Sequence, residues 1–416
     1  MRPVVFGFVC LVSLCARGYA QEPAPAAPAG EPAKHSGAPL GQFALGSLVV
    51  TPTFQITSLA VDTNVRFMSE RKADFLAAGG PGLDLALPFL DHWKLEVQGT
   101  AQYFYFHRTE ELRRWTGGGT AALSWATTGT RAALSARTGR NFARPNLEVD
   151  ARVVSTQSGL TLTLERDLGR LTLSAAALLD RTAVDGGQNY RGADLATALT
   201  SDRISVHPEF TFKLTPFSSL LLEGALQASR FPAASDRNFQ EHSLGAGLRT
   251  TGLLKGQVTA GARRTRLSDG TASIGQPYLR GDLRQQVGRR LRFREAYAQE
   301  SMVSAFAVRG TLPTVERRSL TLEIGIEISK RIDTRWFGTR ETIRSDGLVT
   351  VVLDSGALAA ARRDDTAYIL QGDVGIRLGR ARLALFGSFT TRESLYFSDL
   401  GIDGLQAGAR VEYLPR

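Results

Sequence analysis

The chain has 416 residues, of which 43% are hydrophobic and 22% are charged, and its formal net charge is +10. All but six of its 50 basic residues are arginine. This composition excludes a bundle of membrane-spanning helices and extensive disorder. Only two cysteines occur, Cys10 and Cys15, which excludes a disulfide framework or a cysteine-based metal site in the rest of the chain.

The first twenty residues are typical of a secretory signal peptide. Arg2 supplies a positive charge, residues 4–15 are apolar, and Gly18-Tyr19-Ala20 has the small residues of a cleavage site. The apolar run is too short to span a bilayer. We therefore predict that residues 1–20 are removed on export, together with both cysteines.

Two further segments follow the signal peptide. Residues 21–45 are rich in proline and alanine, which predicts an extended periplasmic linker. Residues 46–416 form the third segment, in which apolar and polar side chains alternate with a period of two. This period is typical of β-strands.

The length of the alternating segments favours a membrane barrel. In one of them Trp93, Leu95 and Val97 alternate with Lys94 and Glu96. Soluble β-sandwiches also alternate, but these segments are longer than the roughly 5–6 residues of ordinary strands. They approach the roughly 9–11 residues that a tilted membrane strand needs. Ionised side chains in mid-strand fit a water-filled lumen.

Short turns and long loops alternate between the segments, as they do in outer-membrane barrels. The sequence therefore predicts an all-β fold, a transmembrane antiparallel up-and-down β-barrel of about eighteen strands in the cell outer membrane. Counting the strand-like stretches 146–155 and 191–200 would give twenty strands, and merging weak segments would give sixteen. The eighteen predicted strands are 47–58, 74–88, 92–106, 115–126, 131–138, 158–166, 170–180, 203–213, 218–230, 239–250, 255–266, 275–286, 289–299, 316–329, 332–344, 366–378, 381–391 and 403–414.

Three aromatic residues on one predicted strand are candidates for the girdles that face the membrane interfaces. Trp93, Tyr103 and Tyr105 share the apolar face. Trp93 and Tyr105 are twelve residues apart, a span of about 30 Å for a strand tilted by about 40°. The alternative is that they are ordinary core aromatics.

Three short motifs carry a resemblance to a known family. They are Asp62-Thr63-Asn64-Val65, Asp74-Phe75 and Gly80-Pro81-Gly82-Leu83-Asp84-Leu85. In this order they resemble the β-barrel porin-2 family of bacterial outer membranes, which implies an outer-membrane channel. Asp62 and Asn64 could be read as cation ligands, but we predict a loop-capping Asx turn instead.

The C-terminus shows a second likeness. Gln406, Gly408, Val411 and Tyr413 are similar to the terminal β-signal of outer-membrane proteins, which implies the barrel assembly machinery as a partner. The chain departs from that pattern because three residues follow the aromatic one.

A third likeness concerns function. A large, arginine-rich barrel of this kind resembles the outer-membrane component of myxobacterial-type exopolysaccharide export. That resemblance implies a periplasmic polysaccharide-export (OPX) protein that passes polymer to the barrel. The first hypothesis is therefore a passive conduit for exopolysaccharide. The alternatives are a general or anion-preferring diffusion porin and a closed structural or adhesive barrel.

One cluster of charged residues is a candidate site in the lumen. Alternation directs its members inward on three successive predicted strands, close to the periplasmic mouth. One hypothesis is a positive constriction that favours anionic solutes or uronic-acid polymers; the other is an internal ion ladder partly neutralised by glutamates. The residues are Arg280, Asp282, Arg284, Arg290, Arg292, Arg294, Glu323 and Glu327.

Two loop features complete the sequence predictions. The apolar residues Ala305 and Phe306 suit the 300–315 loop to fold inward as a plug or gate, and a resting export channel should be closed. Several outer-loop arginines are candidates for contacts with the phosphates of lipopolysaccharide, although a solvated rim is an equal alternative. They are Arg108, Arg113, Arg114, Arg362 and Arg363.

The sequence contains no recognisable motif for metal binding, nucleotide binding or catalysis. The five histidines show no metal-ligand spacing, and no glycine-rich phosphate loop leads from a strand into a helix. No nucleophile, base and orienting group come together in the sequence. We therefore predict that the protein is not an enzyme, needs no cofactor or metal, and binds outer-membrane lipid rather than nucleic acid.

Overall fold

Eighteen long antiparallel strands make up most of the chain. The structure, a computed structural model, describes residues 38–39, 42–65, 72–145, 149, 151–190, 193–307, 312–345, 349–352, 358–361, 364–379, 381–394 and 404–413. The long strands are β1 Leu48–Asp62, β2 Asp74–Phe89, β3 Trp93–Phe106, β4 Arg114–Thr127, β5 Thr130–Ala143, β6 Val153–Leu168, β7 Leu171–Val184, β8 Ser201–Thr215, β9 Ser218–Arg230, β10 Phe239–Thr251, β11 Leu254–Leu267, β12 Ser273–Val287, β13 Leu291–Val303, β14 Thr314–Glu327, β15 Ile332–Ser345, β16 Asp364–Leu378, β17 Ala381–Ser394 and β18 Gly404–Tyr413.

The strands form a closed barrel because each pairs with the next and the last pairs with the first. At the seam, Gln406 of β18 lies opposite Asp62 of β1, and Val411 lies opposite Ile56. The register shifts by one residue between Ala409 and Val411. This up-and-down arrangement of eighteen strands confirms the predicted fold and strand number.

The two ends of the barrel differ in the length of their connections. At one end, turns of two to four residues join the strands. Gly129 and Gly169 occupy two of these turns with φ values of 80° and 84°, a left-handed conformation that favours glycine. At the other end, the loops have five to eighteen residues. We call these the short-turn end and the long-loop end.

The N-terminal segment completes the seam at the short-turn end. β18 has ten residues, whereas β1 has fifteen, so β18 leaves the first part of β1 without a partner. Two short strands, Phe43–Leu45 and Ala38–Pro39, pair with that part of β1. The last part of the predicted linker, 21–45, thus contains two short strands that lie along β1, and the linker itself stays a prediction. The predicted signal peptide lies outside the described residues.

The outer face of the barrel is apolar and its inner face is polar. Leu162, Leu370 and Leu385 point outward and are 42%, 55% and 66% exposed, while Thr161 and Gln371 point into the lumen. A closed barrel satisfies all strand hydrogen bonds internally, so its apolar outer face can contact lipid. The protein is an outer-membrane β-barrel. Among the described helices, none has the length and apolar character needed to cross a membrane.

The two additional strand-like stretches do not add strands to the barrel. In the stretch 146–155, residues 153–155 belong to β6. The stretch 191–200 contains a short helix, α1 (Leu195–Leu199), capped by Asp194, which accepts hydrogen bonds from the Thr197 hydroxyl at 2.5 Å and the Ala196 N–H at 3.1 Å. These bonds hold the pKa of Asp194 below its usual value. Leu195 and Ala198 are buried three residues apart, a helical spacing that alternation hides.

Several strands continue further toward the long-loop end than predicted. The segment predicted at 131–138 extends to Ala143, and the segment predicted at 158–166 begins at Val153. Strand pairing depends on backbone hydrogen bonds, which continue beyond the apolar band where side chains no longer alternate. Sequence alternation therefore marks the membrane-facing part of a strand rather than its full length.

Candidate functional site in the barrel lumen

The barrel encloses a cavity of about 2030 Å³ that is lined by charged, polar and apolar side chains. At about 30 Å³ per water molecule, the cavity has room for tens of waters. It is lined from many strands, including Gln102 on β3, Asp180 on β7, Glu223 on β9 and Gln406 on β18. The lumen is therefore a large space with charged and polar groups contributed by many strands, and it is the candidate functional site.

The structure brings the centre of the predicted charged cluster together as a chain of ion pairs. Asp282 on β12 is 2.8 Å from Arg294 on β13 and 3.2 Å from Arg284 on its own strand. Arg294 is also 3.7 Å from Glu323 on β14. Three neighbouring strands are thus connected by alternating charges, as the ion-ladder hypothesis requires.

Two other members of the predicted cluster have partners outside it. Arg280 is 3.9 Å from Glu223 on β9, three strands away. Glu327 is 2.5 Å from Arg377 on β16. Arg280 and Glu327 thus form their ion pairs across intervening strands and not with other members of the cluster.

Arg290 and Arg292 lie at the short-turn end of the lumen. Arg290 is in the turn before β13, and its backbone carbonyl accepts a hydrogen bond from the Glu327 N–H at 2.7 Å. Arg292 is exposed on the inner face of β13. Among the described residues, neither side chain makes a salt bridge. These two guanidiniums are the part of the cluster that retains a positive charge toward solvent.

A denser ionic network, absent from the sequence predictions, surrounds Arg382 on β17. The side chain of Arg382 is fully buried. It contacts Asp333 on β15 at 2.5 Å, Glu412 on β18 at 3.2 Å and Asp373 on β16. Arg410 on β18 contacts Asp373 at 2.5 Å and Glu412 at 2.9 Å. Four adjacent strands are joined through these charges near the short-turn end.

Gly375 provides the space for this network. A Cβ at Gly375 would collide with the guanidinium of Arg382, which crosses this position on its way from β17 to Asp333 on β15. The sequence signal is the alternation of Asp373, Gly375 and Arg377 on one face. Alternation places these residues in the lumen but does not show which distant strand supplies their partners.

A second buried ion pair lies toward the long-loop end. Glu341 on β15 is 1% exposed, and its carboxylate accepts a 2.9 Å hydrogen bond from the side chain of Arg317 on β14. Glu300 on β13 is 3.8 Å from Arg317. Arg144, in the β5–β6 loop, also interacts electrostatically with Glu341. Because β5 and β15 lie on opposite sides of the ring, this loop extends across the lumen.

An apolar cluster closes part of the long-loop mouth. Ala305 and Phe306 in the β13–β14 loop pack with Leu195 of α1 and with Val149 and Val153 from the opposite wall. β13 and β6 are seven strands apart in the ring, so this contact crosses the mouth. The prediction that the loop folds inward is confirmed for residues 304–307.

Two polar and aromatic contacts hold the same loop. The ring of Phe306 lies 6.1 Å from that of Tyr190 in the β7–β8 loop. Arg237, in the β9–β10 loop, donates a hydrogen bond to the carbonyl of Ser304. The mouth is thus narrowed by contacts among loops from several sides of the barrel.

The aspartates of the first two sequence motifs hold turns and loops together. Asp62 accepts a hydrogen bond from the Asn64 N–H at 2.9 Å, which is the predicted Asx turn, and a second from Arg152 at 3.2 Å. Asp74 accepts bonds from the N–H groups of Arg108 and Thr109. Within the described part of the chain, no group of three or more His, Cys, Asp or Glu side chains could hold a metal ion.

The predicted girdle residues lie on the outer face at opposite ends of β3. Trp93, at the short-turn end, has its ring centroid 6.3 Å from that of Trp125. Tyr103, near the long-loop end, lies 5.2 Å from Trp115. Arg113 sits over the ring of Tyr105 at 4.7 Å. The two tryptophan partners lie on β4. The sequence analysis did not identify them because the alternation within one strand does not show which residues of the next strand lie beside it.

The terminal motif lies at the barrel seam. Gln406 and Gly408 are on the inner face of β18, Val411 pairs with Ile56, and Tyr413 ends the strand opposite Ala381. A Cβ at Gly408 would collide with the backbone of β1 at the carbonyl of Leu59. Close strand approach therefore accounts for this glycine, whether or not an assembly factor recognises it.

Two of the predicted outer-loop arginines organise their own loop. Arg113 donates to the carbonyls of Phe106 at 2.7 Å and His107 at 2.9 Å. Arg114 donates to the carbonyl of Glu111 at 2.8 Å, while Arg108 remains exposed. Contact with lipopolysaccharide stays a prediction for all of them. Arg362 and Arg363 lie outside the described residues.

Several solved structures are similar to this barrel at low sequence identity. The FrpB iron transporter from Neisseria meningitidis is 11% identical, with a TM-score of 0.47, over 82% of this chain and 62% of that one. OpdL from Pseudomonas aeruginosa is 14% identical, with a TM-score of 0.46, over 88% and 98%. The outer membrane protein OpdK from the same organism is 11% identical, with a TM-score of 0.46, over 87% and 98%. This chain thus spans less than two thirds of FrpB.

No protein-family model matches the sequence, and no curated protein is similar to it. The likeness to the porin-2 family therefore rests on the sequence motifs alone, and the likeness to exopolysaccharide-export barrels rests on the size and arginine content of the barrel. The fold assignment rests on the strand pairing and on the apolar outer face. What passes through the barrel has to be inferred from the lumen.

Proposed function

We propose that this protein is a passive diffusion channel for small hydrophilic solutes. The observation that carries the proposal is the cavity of about 2030 Å³ inside the closed barrel, with charged and polar side chains on its wall. Eighteen strands leave a lumen wide enough for water, and a polar inner wall permits passage without a specific carrier step. Neither catalysis nor a cofactor is needed for this activity.

The charge distribution supports a general channel with at most a weak preference for anions. Arg137 is 2.6 Å from Asp180, and Arg249 is 3.0 Å from Glu209, so arginines on other parts of the wall also have acidic partners. Paired charges largely cancel at the distance of a passing solute. Arg292 and the neighbouring turn arginines supply the remaining positive potential at one mouth.

Exopolysaccharide export, the first hypothesis from the sequence, has no support in the lumen or in the comparisons. The inward β13–β14 loop fits a resting export channel and a narrowed porin equally well. It therefore does not separate the two functions. We rank the diffusion channel first because it requires only the barrel and its hydrated lumen.

Deletion of the gene separates these functions. A diffusion channel predicts slower uptake of small hydrophilic solutes and normal surface polysaccharide, with uptake restored by the wild-type gene. The measurements are uptake of labelled sugars and small anions, together with quantification of cell-surface polymer. Loss of surface polymer, with polymer accumulating in the envelope and unchanged solute uptake, would overturn the proposal in favour of export.

A further inference from the structure

A groove on the outer face of the barrel combines cationic and apolar side chains. It lies between β10, β11 and β12 near the long-loop end and has a volume of about 510 Å³. Gly275 and Pro277 form its β12 side, where the glycine leaves the space open. His242 and Arg264 lie directly opposite each other on β10 and β11. The groove faces the membrane, not the lumen.

Two basic residues of this groove are available to a ligand. His242 and Arg264 are exposed, and within the described part of the chain neither makes a salt bridge or a side-chain hydrogen bond. Arg266, one step further along the same face, is also exposed. The wall thus presents one guanidinium beside an imidazole, with a second guanidinium next to them.

The position of the groove along the strand corresponds to a membrane interface. Arg264 is three residues from the long-loop end of β11, roughly 8 Å at a rise of about 3.3 Å per residue and a tilt of about 40°. Leu244, one step toward the middle of the wall from His242, is 63% exposed. A lipid-facing cation is tolerated near the interface and disfavoured at the midplane. The groove thus has positive charge toward the long-loop end and apolar surface toward the middle of the membrane. This arrangement matches an anionic lipid headgroup and its acyl chain.

We propose that this groove binds the phosphorylated headgroup of lipid A in the outer leaflet. Arg264 donates charge-assisted hydrogen bonds to a phosphate, and His242 contacts the same phosphate from the neighbouring strand. An acyl chain of the lipid lies along Leu244 and Ala262. The site is independent of the proposed channel function, since it is on the opposite face of the wall.

The test compares lipid binding by four purified, folded proteins. The wild type should retain diphosphoryl lipid A in native mass spectrometry, and the double variant Arg264→Gln/His242→Gln should bind it at least tenfold more weakly. Gly275→Leu fills the groove without removing a cation, and a Cβ there meets only the Arg263 carbonyl at 4.0 Å. It should therefore weaken binding similarly. Folding is checked by the heat-dependent shift in electrophoretic mobility.

The matched control is Arg181→Gln, which removes another outward arginine at the same end. Arg181 is 3.7 Å from Asp202, so its charge is already compensated, and this variant should bind lipid A as the wild type does. Equal lipid A binding by all four proteins would overturn the proposal. Equal wild-type binding of lipid A without its phosphates, or of phosphatidylglycerol, would also overturn it in favour of unspecific lipid association.

Discussion

Arg382 illustrates how this barrel places an arginine where no water reaches it. Its guanidinium faces the carboxylates of Asp333, Asp373 and Glu412, so its hydrogen-bond donors are directed at acceptors from three strands. Removing one partner of such a buried set leaves charges without compensation, which costs about 3–5 kcal/mol. Exposed pairs contribute only about 0–1 kcal/mol. Burial thus separates structural charges from those available to solutes.

This difference predicts opposite outcomes for two inward arginines. Arg382→Met should lower the free energy of unfolding by about 3–5 kcal/mol, because the buried carboxylates of Asp333 and Asp373 lose the cation that they share. Arg292→Met should change it by less than about 0.5 kcal/mol, since Arg292 is exposed. Urea unfolding of the refolded barrel in detergent measures both values. An equal effect of the two substitutions would contradict the assignment of Arg382 to a structural network.

The sequence identified the charged residues of β12 to β14 but not those around Arg382. Asp282 and Arg294 lie on consecutive strands with a short turn between them, so alternation and turn position suffice to bring them together. Arg382 instead meets Asp333, which is 49 residues away on β15, beyond the neighbouring strand β16. It also meets Glu412, which lies opposite it on β18 after a long loop. Such contacts depend on register and strand tilt across several strands, which a single sequence does not encode in a visible pattern.

At the scale of strands, prediction was more successful near the short turns than near the long loops. β9 is predicted at 218–230 and observed at Ser218–Arg230, and Pro216 marks the tight turn before it. β6 is observed to start five residues earlier than predicted. Its first residues, Val153 and Val154, are both buried in apolar clusters near the long-loop end, so consecutive side chains there do not alternate between apolar and polar.

The parity of turns and loops predicts which end faces the cell exterior. Asp91→Cys lies in the turn before β3, and Glu111→Cys lies in the short 3₁₀ helix Glu110–Leu112 of the β3–β4 loop; both positions are exposed. Only Glu111→Cys should react with a membrane-impermeant maleimide on intact cells, because long loops face outward. The chain after residue 20 has no cysteine, so the unsubstituted protein is the control. Labelling of Asp91→Cys alone would reverse the assigned orientation.

At the scale of the whole molecule, the sequence predicted that the barrel is closed. It predicted only part of the loop packing that narrows the long-loop mouth. Alternation, segment length and the even number of strands led to the closed barrel. The apolar Ala305 and Phe306 indicated an inward loop. Their partners, Leu195 of α1 and Val149, come from loops on the other side of the ring, and long loops carry no periodic signal that would pair them.

The central claim is that the lumen is a hydrated path narrowed by the β13–β14 loop. Its most direct test is the conductance of single purified barrels in a planar lipid bilayer, without any partner protein. The wild type should conduct small ions, and Phe306→Ala should conduct more because it removes the ring packed across the mouth. Phe389→Ala, which removes an outward ring that is 42% exposed, should leave conductance unchanged. Folded wild-type and Phe306→Ala barrels that both fail to conduct would contradict the claim and indicate a closed structural barrel.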